Sequence, residues 1–388
     1  MAVTLPTRAA TTWTHPVAQH VPILMDTIVE LQKIKMPTVD ILWAKKQYKP
    51  IDNDHNFSLN VNYGGQSPRY GTRNMVFNTE VDPKSTRLTF TPNIMYVGSS
   101  VSDTDLRTIY KDGVQLIKEM DKRHNDCNTG LTWGLAYEIF APAGYTTKET
   151  ELSASKITLD NILSDVQTEI SIEDVPGVTG RIGSFASIIK PSGAGHTYGG
   201  FSSANKMWQS HVYHNDGFIA IDSTNYTTYC ADAPSDNVDL VTTMSTTAKW
   251  NMENIDNWLE AIQRGAGFDL LICCPPRIYA SIGRYLHASD FGSQDNPLEN
   301  LGVDASFKHP AFNAVFYADP LAGMVWPNTL WAYDPELLYL ACVEEVCPLI
   351  YEWERLPGST TVVFAKEIYL ALVCVNRRST GALHGVTA

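Results

Sequence analysis

Apolar residues recur at helical spacing at Met252, Ile255, Trp258, Leu259 and Ile262, which predicts an amphipathic helix. Asn251 is placed to cap its start, and Gly265 suits the left-handed position just past its end. Phe268–Cys274 follows as a short, almost wholly apolar run, the pattern of a strand buried on both faces. Pro275 and Pro276 stop that strand, and Pro276 suits the first turn of a second helix. Ile278, Tyr279, Ile282, Tyr285 and Leu286 form its apolar face. Strands are predicted at Asn313–Ala318, Thr329–Tyr333 and Glu336–Val343, with turns at Asp319-Pro320, Pro327-Asn328 and Asp334-Pro335. Residues 251–345 thus form a unit of helix, buried strand, helix and further strands, an α+β layer. It contains no obvious reaction centre.

Residues 1–50 read as an arm. Pro6, Pro16, Pro22, Pro37 and Pro50 break it repeatedly, and one helical pattern survives at Ile23–Ile34. Such a segment makes no core of its own. Residues 56–98 read as a long two-stranded ribbon. Phe57, Leu59, Val61 and Tyr63 alternate with polar residues, and Leu88 and Phe90 alternate with Arg87, Thr89 and Thr91 on the return. The tip from Gly64 onward is polar and turn-rich. A lone ribbon is marginal in water, and no flanking segment offers this one a core, so a neighbouring subunit is its expected cover.

Residues 103–122 carry a helical stripe of Leu106, Ile109, Tyr110, Leu116, Ile117 and Met120, resuming across Leu131–Ile139, with Gly113 weakening its middle. Residues 145–180 are polar and read as an insertion or surface module. Phe185–Ile189 reads as a short strand among glycine-rich loops. The C-terminal part is extended, with strands at Ile350–Leu356, Thr360–Phe364 and Ile368–Val375.

Composition narrows the partners. The chain has 388 residues, 44% of them apolar, and a net charge of −13. An acidic protein is a poor non-specific duplex binder, because that affinity comes from cations that displace counterions. No run is apolar enough for a signal peptide or a membrane span. Seven scattered cysteines, mostly in apolar strands, fit reduced core thiols better than a disulfide frame.

Candidate chemistry is thin. Gly193–Gly200 is glycine-rich but lacks dinucleotide-fingerprint spacing, and a surface loop is the better reading. His211 and His214 could share a helix face, but no further ligands stand near, so solvent-exposed histidines are favoured. Cys273 and Cys274 alternate across a strand and suit core filling. No catalytic, cofactor-binding or metal-ligating residue is assigned.

Five stretches in order carry a resemblance: Thr197–Ser203 with Trp208, Phe268–Leu286, Phe316–Asp319, Trp331–Asp334 and Val375–Gly381. With them the chain resembles the major capsid proteins of tailed bacteriophages, the family with the Hong Kong ninety-seven fold. The resemblance covers most of the chain, with 145–180 unplaced. It implies an α+β fold with an N-terminal arm (1–50), an extended β-hairpin loop (51–101), a peripheral domain with spine helix and insertion (102–219), an axial domain (220–345), and return strands with the C-terminus (346–388).

The resemblance also implies a structural protein rather than an enzyme. It would form homo-oligomeric hexamers and pentamers of an icosahedral virion head, assembled in the host cytoplasm. Scaffolding, portal and decoration proteins would be its partners. It would enclose double-stranded DNA without sequence-specific binding and without membrane or cofactor. Phe57, Leu59, Val61, Tyr63, Gly64, Gly65, Arg69, Tyr70 and Arg73 would form the subunit interface. Some family members weld subunits through a lysine on the extended loop and an asparagine on a neighbour's peripheral loop. Lys84 could supply the first, but Leu356–Thr360 holds no asparagine, so a non-covalent shell is expected. An encapsulin-like compartment and a cytosolic α+β enzyme using the 193–214 loop are the rival readings.

Overall fold

One strand of 14 residues, Thr361–Cys374, organises the computed structural model. The structure describes residues 36–52, 56–62, 85–102, 113–140, 182–190, 197–199, 201–202, 208–222, 246–264, 267–288, 298, 306–343, 349–355 and 361–388. The helices used below are α1 (Pro37–Ala44), α2 (Gly113–Phe140), α3 (Phe185–Ile188), α4 (Met252–Gln263), α5 (Pro276–Ala288) and α6 (Pro320–Val325). The strands run β1 (Gln47–Lys49), β2 (Phe57–Asn62), β3 (Ser85–Phe90), β4 (Asn93–Ser102), β5 (Thr197–Tyr198), β6 (Phe201–Ser202), β7 (His211–His214), β8 (Ile219–Ala220) and β9 (Ala248–Lys249). After them come β10 (Leu270–Cys274), β11 (Ser306–Lys308), β12 (Ala314–Ala318), β13 (Thr329–Tyr333), β14 (Leu338–Val343), β15 (Leu349–Arg355), β16 (Thr361–Cys374), β17 (Gly381–His384) and β18 (Val386–Thr387).

In the five-stranded sheet, β16 pairs antiparallel with β4 along Thr361–Leu370 on one edge, and on the other edge with β15 and, at its C-terminal end, β14. Strand alternation splits the residues of β16 between two layers. Ile368, Leu370, Leu372 and Cys374 face the large core with α1 and α2, while Ala371 and Val373 face a smaller cluster on the opposite side. The seven-stranded sheet has the order β11-β12-β10-β13-β17-β7-β8. Its interior strand β10 is buried throughout. Leu271 and Cys273 join the large core, and Leu270, Ile272 and Cys274 pack under α4 and α5. The large core therefore lies between the two sheets. Each large apolar side chain taken from water there contributes about 1.5–3 kcal/mol.

Local chemistry explains the helix starts. The Asn251 side chain accepts from Glu253 N–H, and Ile255, Trp258, Leu259 and Ile262 are all buried, as the spacing predicts. Gly381 of β17 has no Cβ to hold α4 away. A Cβ there would lie 2.8 Å from Trp258 Nε1, which instead donates to the His211 carbonyl at 3.1 Å.

Several sequence expectations change. Phe185–Ile188 is a helix rather than a strand, because Ser184 and Ser187 form a reciprocal capping box. Asp319-Pro320 starts α6, with Asp319 as cap and Pro320 in the first turn, a signature shared with turns. The described part of α2 begins at Gly113, so that glycine is not mid-helix there; 103–112 lie outside the described residues, as do Ile23–Ile34 and 145–180. Residues 93–98 leave the ribbon and pair with β16. The 251–345 unit is not self-contained, since β14 joins the five-stranded sheet while β17, near the C-terminus, is inserted between β13 and β7. A boundary at residue 345 therefore does not follow the sheets.

A buried polar chain ties α1 to both sheets' shared core. Thr38 N–H and its hydroxyl both donate to Asp319 Oδ2, at 3.1 and 2.6 Å. With its own proton committed, Thr38 Oγ1 accepts from Tyr317 OH at 3.0 Å, and Tyr317 in turn accepts from Tyr333 OH at 2.8 Å. Asp319 Oδ1 takes Leu321 N–H at 2.9 Å. Burial raises the Asp319 pKa, and the Thr38 hydrogen bonds oppose that rise.

Thr38→Val keeps the shape but leaves a buried carboxylate and a tyrosine hydroxyl short of partners. It should lower unfolding free energy by about 1–3 kcal/mol in urea titration; a loss under about 0.5 kcal/mol would show that this chain does not anchor α1. Cys127, Cys273, Cys274, Cys342 and Cys374 are free and buried. Native alkylation followed by mass spectrometry should leave these five unmodified, and rapid labelling of them would contradict the packing.

Candidate assembly surface

The ribbon's base is built by β2 and β3 in antiparallel register, Phe57 opposite Phe90 and Leu59 opposite Leu88. Asp52 fixes its root, accepting from Asn56 N–H at 2.8 Å and from Arg87 Nη2 at 2.8 Å. Phe57, Leu88 and Phe90 bury themselves against Trp208, Tyr339, Ala341, Ala371 and Val373. The ribbon thus has a core within its own chain at its base, contrary to the expectation from sequence. Phe57 is 1% exposed in the single chain, so it is not a free contact residue, and Leu59 is half-buried. Val61 continues the strand. Tyr63, Gly64, Gly65, Arg69, Tyr70 and Arg73 lie outside the described residues.

The glycine-rich loop has a mechanical role here. Its β5–β6 hairpin lies over the ribbon base, and the Gly199 carbonyl accepts from Thr89 N–H at 3.1 Å. Gly199 has φ +61°, and a Cβ there would stand 3.0 Å from the Phe90 ring. Tyr198 packs at a tilt against Phe90, with centroids 5.1 Å apart, and its hydroxyl accepts from Cys374 N–H at 2.9 Å. Arg377, fully buried, donates from Nε to the Ile188 carbonyl at 2.8 Å and lies over the Tyr198 ring. Burial pulls its pKa down. Arg377 and Tyr198 therefore set the hairpin that clamps the ribbon. The spacing of the loop's glycines signalled none of this, because the partner residues are remote in sequence.

The histidines are also placed differently from expectation. His211 and His214 sit on β7, where a separation of three turns them to opposite faces. His214 is buried rather than exposed; its Nδ1 accepts from Asp216 N–H at 3.1 Å, so Nε2 carries the proton toward the Thr246 carbonyl at 3.1 Å. His384 lies opposite it in the ladder and meets Thr329 Oγ1 through Nδ1 at 3.0 Å. Among the described residues no group of three or more His, Cys, Asp or Glu is placed to hold a metal ion.

Beyond the ribbon base, the outer face of the five-stranded sheet carries exposed apolar side chains. Ile94 and Tyr96 on β4 are 52% and 57% exposed, while the alternate residues Met95 and Val97 pack inward. On the inner face Lys366 is buried, bonded to His124 Nε2 at 2.8 Å and to Asn128 Oδ1. It borders a cavity of about 260 Å³ walled by α1, α2 and β16.

No family model and no curated protein matches the chain. Solved structures do. The chain is similar to one in the cyanophage A-1(L) capsid asymmetric unit, with TM-score 0.54 and 12% identity over 94% of this chain and 96% of that one. It is also similar to one in the capsid of an empty GTA particle computed with C5 symmetry, with TM-score 0.50 and 9% identity over 96% and 98% of the two chains. The fold is the α+β Hong Kong ninety-seven type of these capsids.

Burial, then the neighbouring His214, lowers the His384 pKa from 6.5 to about 3, and burial lowers that of His211 to about 4. Both are neutral when folded, whereas the unfolded chain protonates them below 6.5. Their contribution is therefore intact above pH 6.5 and lost as pH falls toward the folded values. Asp319, with its raised pKa, works in the opposite sense. Urea midpoints should fall between pH 6.5 and 4, and His384→Gln should remove about 3 kcal/mol of that loss. An unchanged pH profile in the variant would contradict the assignment.

Proposed function

We propose that this chain is a structural shell subunit, the major capsid protein of a phage-type icosahedral head that encloses double-stranded DNA. The observation that carries this reading is the capsid likeness over 94% of the chain and 96% of its counterpart. Hexamers and pentamers arise from head-to-tail contacts that close into rings. Many copies and overlapping arms supply strength rather than one tight contact. The net charge of −13 suits a lumen that does not grip DNA. Scaffolding, portal and decoration proteins are its partners, the virion its location and the host cytoplasm its place of assembly. The glycine-rich loop, occupied with clamping the ribbon, does not favour the enzyme reading.

The inter-subunit arm is the ribbon beyond Asn62 and Ser85, with Val61, Tyr63, Gly64, Gly65, Arg69, Tyr70 and Arg73 meeting the neighbour. The two arginines seek an acidic patch there, which fixes docking and register more than affinity.

Replacing 65–84 by an Asn-Gly turn should leave the chain folded by circular dichroism yet abolish closed particles in electron microscopy. Arg69→Glu with Arg73→Glu should weaken assembly more at low salt than at high salt. Normal shells from the truncated chain would overturn the arm assignment, and absorbance typical of nucleic-acid-free particles after infection would point to a compartment instead. Boiled, reduced particles should run as one band near 43.1 kDa, and a ladder would disprove the non-covalent shell.

A further inference from the structure

We infer that the cavity between α1, α2 and β16 is a binding site for a small carboxylate with an apolar tail, of the medium-chain fatty-acid class, held at its head by Lys366. The inference is independent of the shell reading above. Val39 and Trp43 of α1, Leu131 and Leu135 of α2 and Ile368 of β16 wall a space of about 260 Å³. A dry apolar cavity of about 150 Å³ already takes up benzene, so this one has room for a tail of about eight carbons. Val39, Leu131, Leu135 and Ile368 are buried and form the floor. Asp40 and Asn128 are exposed and Thr132 is half-buried, so the opening lies on their side. Lys46 Nζ stands 4.3 Å from the centroid of the Trp43 ring, a cation over an aromatic face that fixes this wall.

Charge selects the head of the ligand. Lys366 is only 5% exposed, yet no carboxylate forms an ion pair with it among the described residues. An ammonium has three N–H donors. Two go to neutral acceptors, His124 Nε2 at 2.8 Å and Asn128 Oδ1. The third meets no acceptor among the described residues. A buried cation without a counter-charge is costly. Burial accordingly pulls the Lys366 pKa down, opposed by the nearby Cys127. A carboxylate in the cavity would take the third N–H and supply the missing charge, a bond about twice as strong as one between neutral groups. Its tail would meanwhile leave water for the apolar walls. Asp40 is the acidic residue of the lining among the described residues. It stands exposed at the rim and is already engaged, so the ligand's head belongs at the Lys366 end.

The test titrates the full-length chain with octanoate by calorimetry, and octylammonium serves as the control with the same tail and the opposite charge. Octanoate should bind once per chain with a Kd of about 1 mM or tighter. It should also raise the melting temperature as its concentration increases. Octylammonium should show no saturable binding. Lys366→Met should weaken octanoate by about tenfold or more. Because that lysine is buried, a second variant leaves it in place: Thr132→Trp, at the half-buried rim, plugs the opening and should abolish binding. Circular dichroism checks that both variants fold. No saturable octanoate binding up to about 10 mM would overturn the site. Equal binding of octylammonium, or octanoate affinity unchanged in either folded variant, would overturn it as well.

Discussion

A long strand must find cover on both of its faces, and β16 carries that constraint for the whole molecule. Its inner side is covered by α1 and α2 together with the seven-stranded sheet. Among the described residues, its outer side is covered toward the C-terminal end by the ribbon base and the hairpin around Gly199. Along β4 the same side carries the exposed Ile94 and Tyr96 beside Glu367. Among the described residues the core is filled, while Ile94 and Tyr96 stand largely in solvent. A ribbon whose base packs on its own sheet agrees with the proposed shell subunit.

The buried polar groups sharpen this picture. Asp319 is ionisable and 1% exposed, and an unpaired carboxylate there would cost several kcal/mol. It is tolerated because Thr38, Leu321 and Ala322 all donate to it. Arg377 is held by carbonyl oxygens and an aromatic face. His384 stays neutral between two strands. Each lies where segments distant in sequence meet: α1 against α6, the hairpin against the C-terminus, β17 against β13. They make those junctions specific, since any other register would strand a buried donor or acceptor.

What could be read from sequence was what repeats locally. The face of α4, the buried run of β10 and the alternation of β2 all follow from period, and the structure keeps them. The errors have physical causes. Asp-Pro both opens helices and makes turns, so Asp319-Pro320 was ambiguous. Four apolar residues among 185–189 fit either period, and the deciding interaction was the Ser184–Ser187 cap. His211 and His214 read as exposed because nothing near them in sequence shows β17 pairing alongside. The ribbon seemed to lack a core because Trp208, Tyr339 and Val373 come from three remote segments. The exposed face at Ile94 and Tyr96 was invisible for the same reason. It is defined only once β4 is paired with β16.

The most direct test of this account is hydroxyl-radical footprinting of Tyr96 in free subunits and in purified closed particles, read by mass spectrometry. The account predicts ready oxidation in the free subunit, where the side chain is exposed, and strong protection in the particle. Equal oxidation of Tyr96 in both states would contradict the proposed shell, in which assembly brings copies of the chain into overlap.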